Sequence, residues 1–80
     1  MKLELYHFES CPYCLKVRKF IDVNGLKNQV QYFDTLKDEE ANKRLVAMNG
    51  DDQVPCLVID GKPLLESDDI IAFLAKHFRE

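Results

Sequence analysis

Short apolar segments along the chain predict four β-strands. The first, over roughly residues 2–7, mixes leucines with Tyr6 and His7, and this blurred alternation is typical of a strand buried on both faces. Asp60-Gly61 separates the last two segments and is a strong two-residue hairpin signal, so we expect those two strands to pair antiparallel. The three later strands are predicted over Val30 to Phe33, Cys56 to Ile59 and Lys62 to Leu65.

Apolar residues at helical spacing predict three helices between and after these strands. Proline favours the first position of a helix, and an Asn-Gly pair is typical of a helix end. Ser67 is predicted to cap the last helix, because Asp68 and Asp69 then fall in its first turn, where the helix dipole favours acidic residues. The first two helices are predicted to run from Pro12 to Asn24-Gly25 and from Asp38 to Asn49-Gly50.

The predicted order of elements is β-α-β-α-β-β-α, without a linker, repeat or low-complexity segment. A strand, a helix and a second strand favour a right-handed parallel unit, and the hairpin adds two antiparallel strands. We therefore expect one α/β domain over residues 1–80, in which a four-stranded mixed sheet carries helices on both faces.

Composition and charge narrow the class of protein. Of the 80 residues, 46% are hydrophobic and 31% are charged, which argues against a disordered chain. The longest apolar run, Ile70 to Ala75, is far too short to span a membrane, and the N-terminal residues do not resemble a signal peptide. A net charge of −3 argues against nucleic acid as the main partner. These features favour a soluble intracellular protein that binds neither nucleic acid nor membranes. We expect it to be cytoplasmic and monomeric, although composition and charge do not determine the oligomeric state.

The three cysteines are too few, and odd in number, for a secreted disulfide scaffold. A bridge between Cys11 and Cys14 closes a four-residue loop and restrains almost nothing in the unfolded chain. Chemistry therefore explains this pair better than stabilisation does.

The position of the pair predicts a different role for each sulfur. If Pro12 is the first helical residue, Cys11 is the N-cap, and its sulfur faces the free N–H groups of Tyr13 and Cys14 at the positive end of the helix dipole. Such a position stabilises a thiolate, so Cys11 is predicted to attack a disulfide and Cys14 to resolve the mixed disulfide. Three basic residues of the same helix add to the positive field: Lys16, Arg18 and Lys19.

A metal-binding role is the alternative for this pair. Zinc takes four ligands, and the further candidates are only Cys56, His7, His77 and carboxylates. There is no second pair of cysteines at the same spacing. The sequence therefore favours a redox pair and predicts no metal site.

Three motifs occur along the chain in a specific order: Cys11-Pro12-Tyr13-Cys14, Gln53-Val54-Pro55 and Leu65-Glu66-Ser67-Asp68-Asp69. Together they resemble the glutaredoxins and also the N-terminal domain of glutathione transferases, over most of the chain. The resemblance implies a thioredoxin-like fold and a glutathione-dependent thiol–disulfide oxidoreductase. It implies glutathione as cosubstrate, no bound cofactor, and partners that are disulfide-containing or glutathionylated proteins.

The resemblance also implies how glutathione binds. Pro55 is expected to be the cis proline of the fold, and the backbone of Val54 to bind the cysteinyl part of glutathione. Ser67 at the helix start is expected to bind the γ-glutamyl carboxylate, while Glu66 or Asp68 faces the neighbouring ammonium group. The remaining expected contacts with glutathione are Tyr13 and Gln53.

Two departures from the glutaredoxin pattern accompany the resemblance. Phe8 stands where many glutaredoxins carry a lysine for the glycyl carboxylate of glutathione, and Cys56 directly after Pro55 is unusual. Two alternatives therefore stay open at this point. One is a module that holds an iron–sulfur cluster through Cys11 and glutathione thiolates, and the other is a transferase-like domain whose helical partner is another polypeptide.

Overall fold

The computed structural model describes residues 1–78 and contains the predicted strands and helices in the predicted order. One short 3-10 turn, Lys27–Gln29, precedes the second strand and carries no signal in the sequence. None of the helices in this described range is both long and apolar enough to cross a membrane. The elements are β1 (Leu3–His7), α1 (Pro12–Val23), β2 (Val30–Asp34), α2 (Glu39–Asn49), β3 (Cys56–Ile59), β4 (Lys62–Leu65) and α3 (Ser67–His77).

The four strands form one mixed sheet in the order β2-β1-β3-β4. β1 is parallel to β2 and antiparallel to β3, with Leu5 opposite Leu57. The hairpin between β3 and β4 turns at Asp60 and Gly61, which have φ values of 49° and 89°. Positive φ at both central residues is what a tight two-residue hairpin turn requires, and the predicted mixed sheet and hairpin are confirmed.

Helices cover both faces of the sheet, as predicted. Leu5 and Tyr6 are neighbours in β1, so their side chains point to opposite faces and into different parts of the core. The first cluster lies under α1 and α3 and includes Leu3, Leu5, Val17, Ile21, Leu57, Ile70 and Leu74. The second cluster lies under α2 and consists of Tyr6, Ala41, Leu45, Cys56 and Val58.

The starts of the helices follow the sequence in two cases and differ in one. α1 begins at Pro12, and α2 begins after Asp38, whose side chain accepts a hydrogen bond from Ala41 N at 3.2 Å. The prediction that Ser67 caps α3 is wrong. Ser67 is already the first residue of that helix, and Glu66 is its N-cap, because the φ of Glu66 is 75° and a right-handed helix cannot include it.

Candidate functional site

The cysteine turn, residues 11–14, joins the carboxyl end of β1 to the start of α1. Cys11 has an extended backbone, with φ −80° and ψ 115°, and occupies the N-cap position that the sequence predicts. Its Sγ accepts a hydrogen bond from Cys14 N at 3.1 Å. Of the two N–H groups expected to face the sulfur, the structure therefore provides the one from Cys14. A sulfur held in this way lies at the positive end of the helix dipole.

The two thiols of the turn are buried to different degrees, which separates their chemistry. Cys14 is fully buried, whereas 6% of Cys11 is exposed. Burial, together with a hydrogen bond to the side chain of Cys11, raises the pKa of Cys14 to about 12. Cys14 therefore keeps its proton at neutral pH, and Cys11 is the thiol of the pair that solvent reaches.

A groove of about 430 Å³ lies beside the cysteine turn. The structure brings to it, from three separate segments, all seven residues that the resemblance implicates in glutathione binding. Tyr13 comes from the cysteine turn and is 64% exposed. The full lining is Tyr13, Gln53, Val54, Pro55, Glu66, Ser67 and Asp68.

The segment before β3 contributes backbone to one wall of this groove. The bond between Val54 and Pro55 is cis, so the expected cis proline is confirmed. Pro55 is buried and Val54 is half-buried. Val54 and Pro55 thus line the groove directly before β3 begins.

The start of α3 forms a second wall of the groove. Glu66 combines φ 75° with ψ 119°, a backbone conformation that favours glycine, and its carboxylate accepts a hydrogen bond from Gln53 Nε2 at 3.0 Å. The first hydrogen bond within the helix runs from Ile70 N to the Glu66 carbonyl oxygen at 3.0 Å. The N–H groups of Ser67 and Asp68 precede that bond, so they are available to a carboxylate.

Comparison with known proteins decides the family. Residues 5–80 match the family model described as glutathione S-transferase, N-terminal domain. The chain belongs to this family. A probable glutaredoxin of Synechocystis sp. is 31% identical over 72 residues, which cover 89% of this chain and 80% of the relative. Prostaglandin E synthase 2 of Danio rerio is 27% identical over 78 residues, which cover 98% of this chain but 19% of the relative.

A comparison with solved structures identifies the fold of this chain. The crystal structure of a thioredoxin-like protein superposes with a TM-score of 0.76 at 31% sequence identity, over 94% of this chain and 96% of that chain. The thioredoxin-like fold is therefore confirmed. The chain spans most of the thioredoxin-like protein and of the glutaredoxin relative, but less than a fifth of the prostaglandin synthase.

An ion pair crosses from α1 to α3 at the edge of the groove in this transferase-type domain. Lys16 Nζ binds the carboxylate of Asp68. Fifty-two positions separate the two residues, so no local pattern of the sequence reveals the contact. The pair means that Asp68 already has a cationic partner, whereas the partner of Glu66 is the neutral amide of Gln53.

The sequence predicts His7 as part of a buried strand and as a possible zinc ligand, but not as an unpartnered polar group close to the cysteine turn. His7, the last residue of β1, is 6% exposed, and its Nδ1 has no hydrogen-bond partner among the described residues. Burial, and then the nearby charge of Arg18, lower the pKa of His7 from its ordinary value. His7 is therefore neutral at pH 7. The only signal in the sequence is its place at the end of the strand that leads to Cys11.

Proposed function

We propose that the chain is a glutathione-dependent thiol–disulfide oxidoreductase of the glutaredoxin type. The observation that carries the proposal is the N-cap geometry of Cys11, whose sulfur accepts from Cys14 N at 3.1 Å beside a groove with the expected glutathione-binding residues. Its membership of the transferase N-terminal family and its similarity to a probable glutaredoxin support glutathione as the thiol that occupies this groove.

The proposed binding mode uses both walls of the groove. The peptide groups of Val54 pair with the cysteinyl backbone of glutathione, which points its sulfur toward the cysteine turn. The γ-glutamyl carboxylate accepts from the N–H groups at the start of α3. The ammonium group next to it is bound by Glu66, because Asp68 is engaged by Lys16.

The proposed reaction begins at Cys11. Its thiolate attacks the glutathionyl sulfur of a mixed disulfide, so that a new sulfur–sulfur bond forms on Cys11 while the old one breaks. The protein thiolate leaves and takes up a proton from solvent. A second glutathione thiolate then attacks the glutathionyl sulfur on Cys11, which releases oxidised glutathione and regenerates the Cys11 thiolate. NADPH, through glutathione reductase, reduces the product.

Protein disulfides follow a second route in this proposal. The Cys11 thiolate attacks the substrate disulfide, forms a mixed disulfide with one of its sulfurs and releases the other as a thiolate. Cys14 then attacks the Cys11 sulfur, which closes a Cys11–Cys14 bond, and its proton passes to the second substrate thiolate as that thiolate leaves. Because Cys14 holds its proton tightly, this attack is expected to be slower than resolution by free glutathione. Two molecules of glutathione then reduce the Cys11–Cys14 bond and leave as oxidised glutathione.

The experiment is a coupled assay in which NADPH and glutathione reductase report the reduction of a small glutathione mixed disulfide. Cys11→Ser is expected to abolish the activity, and Cys14→Ser to keep at least a third of it, since glutathione itself resolves the intermediate. Cys56→Ala is the matched control, because Cys56 is buried under α2, and is expected to stay within twofold of the wild type.

Two results would overturn the proposal. One is an active Cys11→Ser variant, which makes another group the nucleophile. The other is a folded wild-type protein that shows no turnover. In the second case, the visible absorbance of anaerobically purified protein tests the iron–sulfur alternative, and a conjugation assay with an electrophile tests a transferase-like role.

A further inference from the structure

Arg18 lies behind the cysteine turn. Cys11, Cys14 and Arg18 follow one another at spacings of three and four residues, which place them on one side of α1. Nη2 of Arg18 donates a hydrogen bond to the carbonyl oxygen of Glu9 at 3.3 Å. The carboxylate of Glu9 is held by Lys37 Nζ at 3.2 Å. The loop that leads from β1 to Cys11 is therefore tied to α1 on one side and to the segment after β2 on the other.

The charge of Arg18 is compensated differently from that of the other basic residues of α1. Lys16 is paired with Asp68, and Lys19 is exposed to solvent, which screens its charge. Arg18 is half-buried, and its Nε is buried without a hydrogen-bond partner. Within residues 1–78, no carboxylate lies at ion-pair distance from its guanidinium. A partly desolvated, unpaired cation acts more strongly on its neighbours than a screened one does.

Within the described residues, the charged groups near Arg18 do not form an ion pair with it. Two of them, Asp22 one turn further along α1 and Lys27, line the same cavity as Arg18 and carry opposite charges. His7 is neutral, as described above, and burial raises the pKa of Tyr32, which therefore stays protonated. The carboxylate of Glu9 is paired with Lys37. Asp34, at the end of β2, uses its carboxylate to accept the N–H groups of two residues of the following turn, at 2.9 and 3.1 Å.

The positive charge of Arg18 favours the deprotonated form of a nearby thiol, and its effect on Cys14 has this direction. Its charge acts to lower the pKa of Cys14, against the larger effect of burial. Cys11 lies at the start of the same helix, where its Sγ accepts a hydrogen bond from Cys14 N at 3.1 Å, so both cysteines of the turn lie in front of the same cation.

We propose that Arg18 is the positioning residue of the nucleophilic step: tied to the Glu9 carbonyl, it holds an unpaired positive charge behind the cysteine turn and so favours the thiolate of Cys11. This inference rests on the proposed function, in which that thiolate is the nucleophile. It singles out one of the three basic residues that the sequence leaves equivalent.

The test measures how fast iodoacetamide alkylates Cys11 between pH 5 and pH 9. All variants carry Cys14→Ser, so that Cys11 is the remaining thiol of the turn, and peptide mass spectrometry confirms the alkylated residue. Arg18→Gln removes the charge, and Arg18→Lys keeps it. Lys19→Gln is the matched control, since it removes one positive charge from the next position of the same helix. Circular dichroism checks the fold, and Arg18→Met replaces Arg18→Gln if the glutamine variant unfolds.

Arg18→Gln is expected to slow alkylation at pH 6 by about threefold to tenfold and to shift the rate profile to higher pH. Lys19→Gln is expected to stay within twofold of its parent, and Arg18→Lys to react faster than Arg18→Gln. Equal profiles for Arg18→Gln and Lys19→Gln would overturn the inference, as would equal profiles for Arg18→Lys and Arg18→Gln. Alkylation needs no glutathione, so the two proposals can fail independently. The coupled assay can support the proposed function while alkylation contradicts the role of Arg18, and alkylation can support that role in a protein that the coupled assay finds inactive.

Discussion

α1 and α3 both begin at the groove, but their first turns are completed in opposite ways. A side chain caps α1, since Cys11 Sγ accepts from Cys14 N. Among residues 1–78, no side chain caps α3: the carboxylate of Glu66 instead accepts from Gln53, and the first N–H groups of the helix have no partner there. One helix start thus holds a sulfur that belongs to the chain, and the other is open to the carboxylate of a ligand. In the proposed function, the start of α1 is the reacting side of the site and the start of α3 is its binding side.

Alkaline pH gives the largest expected contrast, because the carboxyl and thiol groups differ: the first turn of α1 contains a buried thiol, whereas the acidic side chains in the first turn of α3, Asp68 and Asp69, are exposed. The pKa of Cys14 is raised from its ordinary value of 9.0 to about 12 in the folded protein. Above pH 9 the unfolded chain loses this proton while the folded chain keeps it. The stability that this group contributes is therefore complete below pH 9 and is lost as the pH rises toward 12, by at most about 1.4 kcal/mol per pH unit.

Urea unfolding between pH 8 and pH 11 measures this effect. Cys14→Ser is expected to flatten the decline in the free energy of unfolding, and Cys11→Ser to leave most of it in place. The decline that remains in Cys14→Ser includes Cys56, whose pKa burial also raises. Identical slopes for the wild type and Cys14→Ser would contradict the assignment.

A charge reversal at the start of α3 tests the binding side. Glu66→Lys puts a positive charge where the proposal places the ammonium group of glutathione. We expect the KM for glutathione to rise about tenfold, equivalent to about 1.4 kcal/mol. Alkylation of Cys11 by iodoacetamide is the matched readout and is expected to be unchanged, because the reacting side lies at the other helix. A rise in KM accompanied by slower alkylation of Cys11 would show that the two sides are not separate.

Two variants, in which serine or alanine replaces Cys11, test whether its side chain caps α1. Serine is a strong N-cap, so Cys11→Ser is expected to unfold at the same urea concentration as the wild type or a higher one. Alanine cannot accept the hydrogen bond from Cys14 N, and Cys11→Ala is expected to lose about 1 kcal/mol of stability. Equal stability of the two variants would mean that the Cys11 side chain does not cap α1.

The smallest expected effect concerns the ion pair between Lys16 and Asp68, which joins the starts of α1 and α3. Lys16→Gln removes the partner of Asp68 from an exposed ion pair, which changes the stability by only about 0.5 kcal/mol or less. The freed carboxylate then adds to the acidic charge beside the ammonium site, so the KM for glutathione is expected to fall about twofold, by an electrostatic contribution of the same size. A higher KM would assign Lys16 to a carboxylate of glutathione instead.

Local sequence signals predict most of this fold. Pro12 and the Asp60-Gly61 pair act through their own backbone preferences, so the start of α1 and the hairpin follow from a few adjacent residues. The same kind of signal gives a wrong cap for α3, because the capping preference of Ser67 is outweighed by the backbone conformation of Glu66. That conformation depends on how β4 joins α3 in three dimensions.

In the candidate site, too, the sequence predicts some features and not others. The N-cap position of Cys11 is predictable, because the strand end, the proline and the cysteine are contiguous in the sequence. The contacts of Lys16 with Asp68 and of Arg18 with the Glu9 carbonyl are not, since they depend on where long side chains reach in the folded protein. The grouping of the groove residues followed from the resemblance and not from spacing, because they come from three separate segments of the chain.

The most direct test of the central claim is to trap the first intermediate. Cys14→Ser protein is incubated with oxidised glutathione, and the intact mass and the peptide masses are then measured. The Cys11 thiolate attacks one sulfur of the disulfide and releases one glutathione thiolate, so we predict one glutathione per chain, bound to Cys11 and absent from Cys11→Ser. A folded protein that takes up no glutathione, or that carries it on Cys56, would contradict the account.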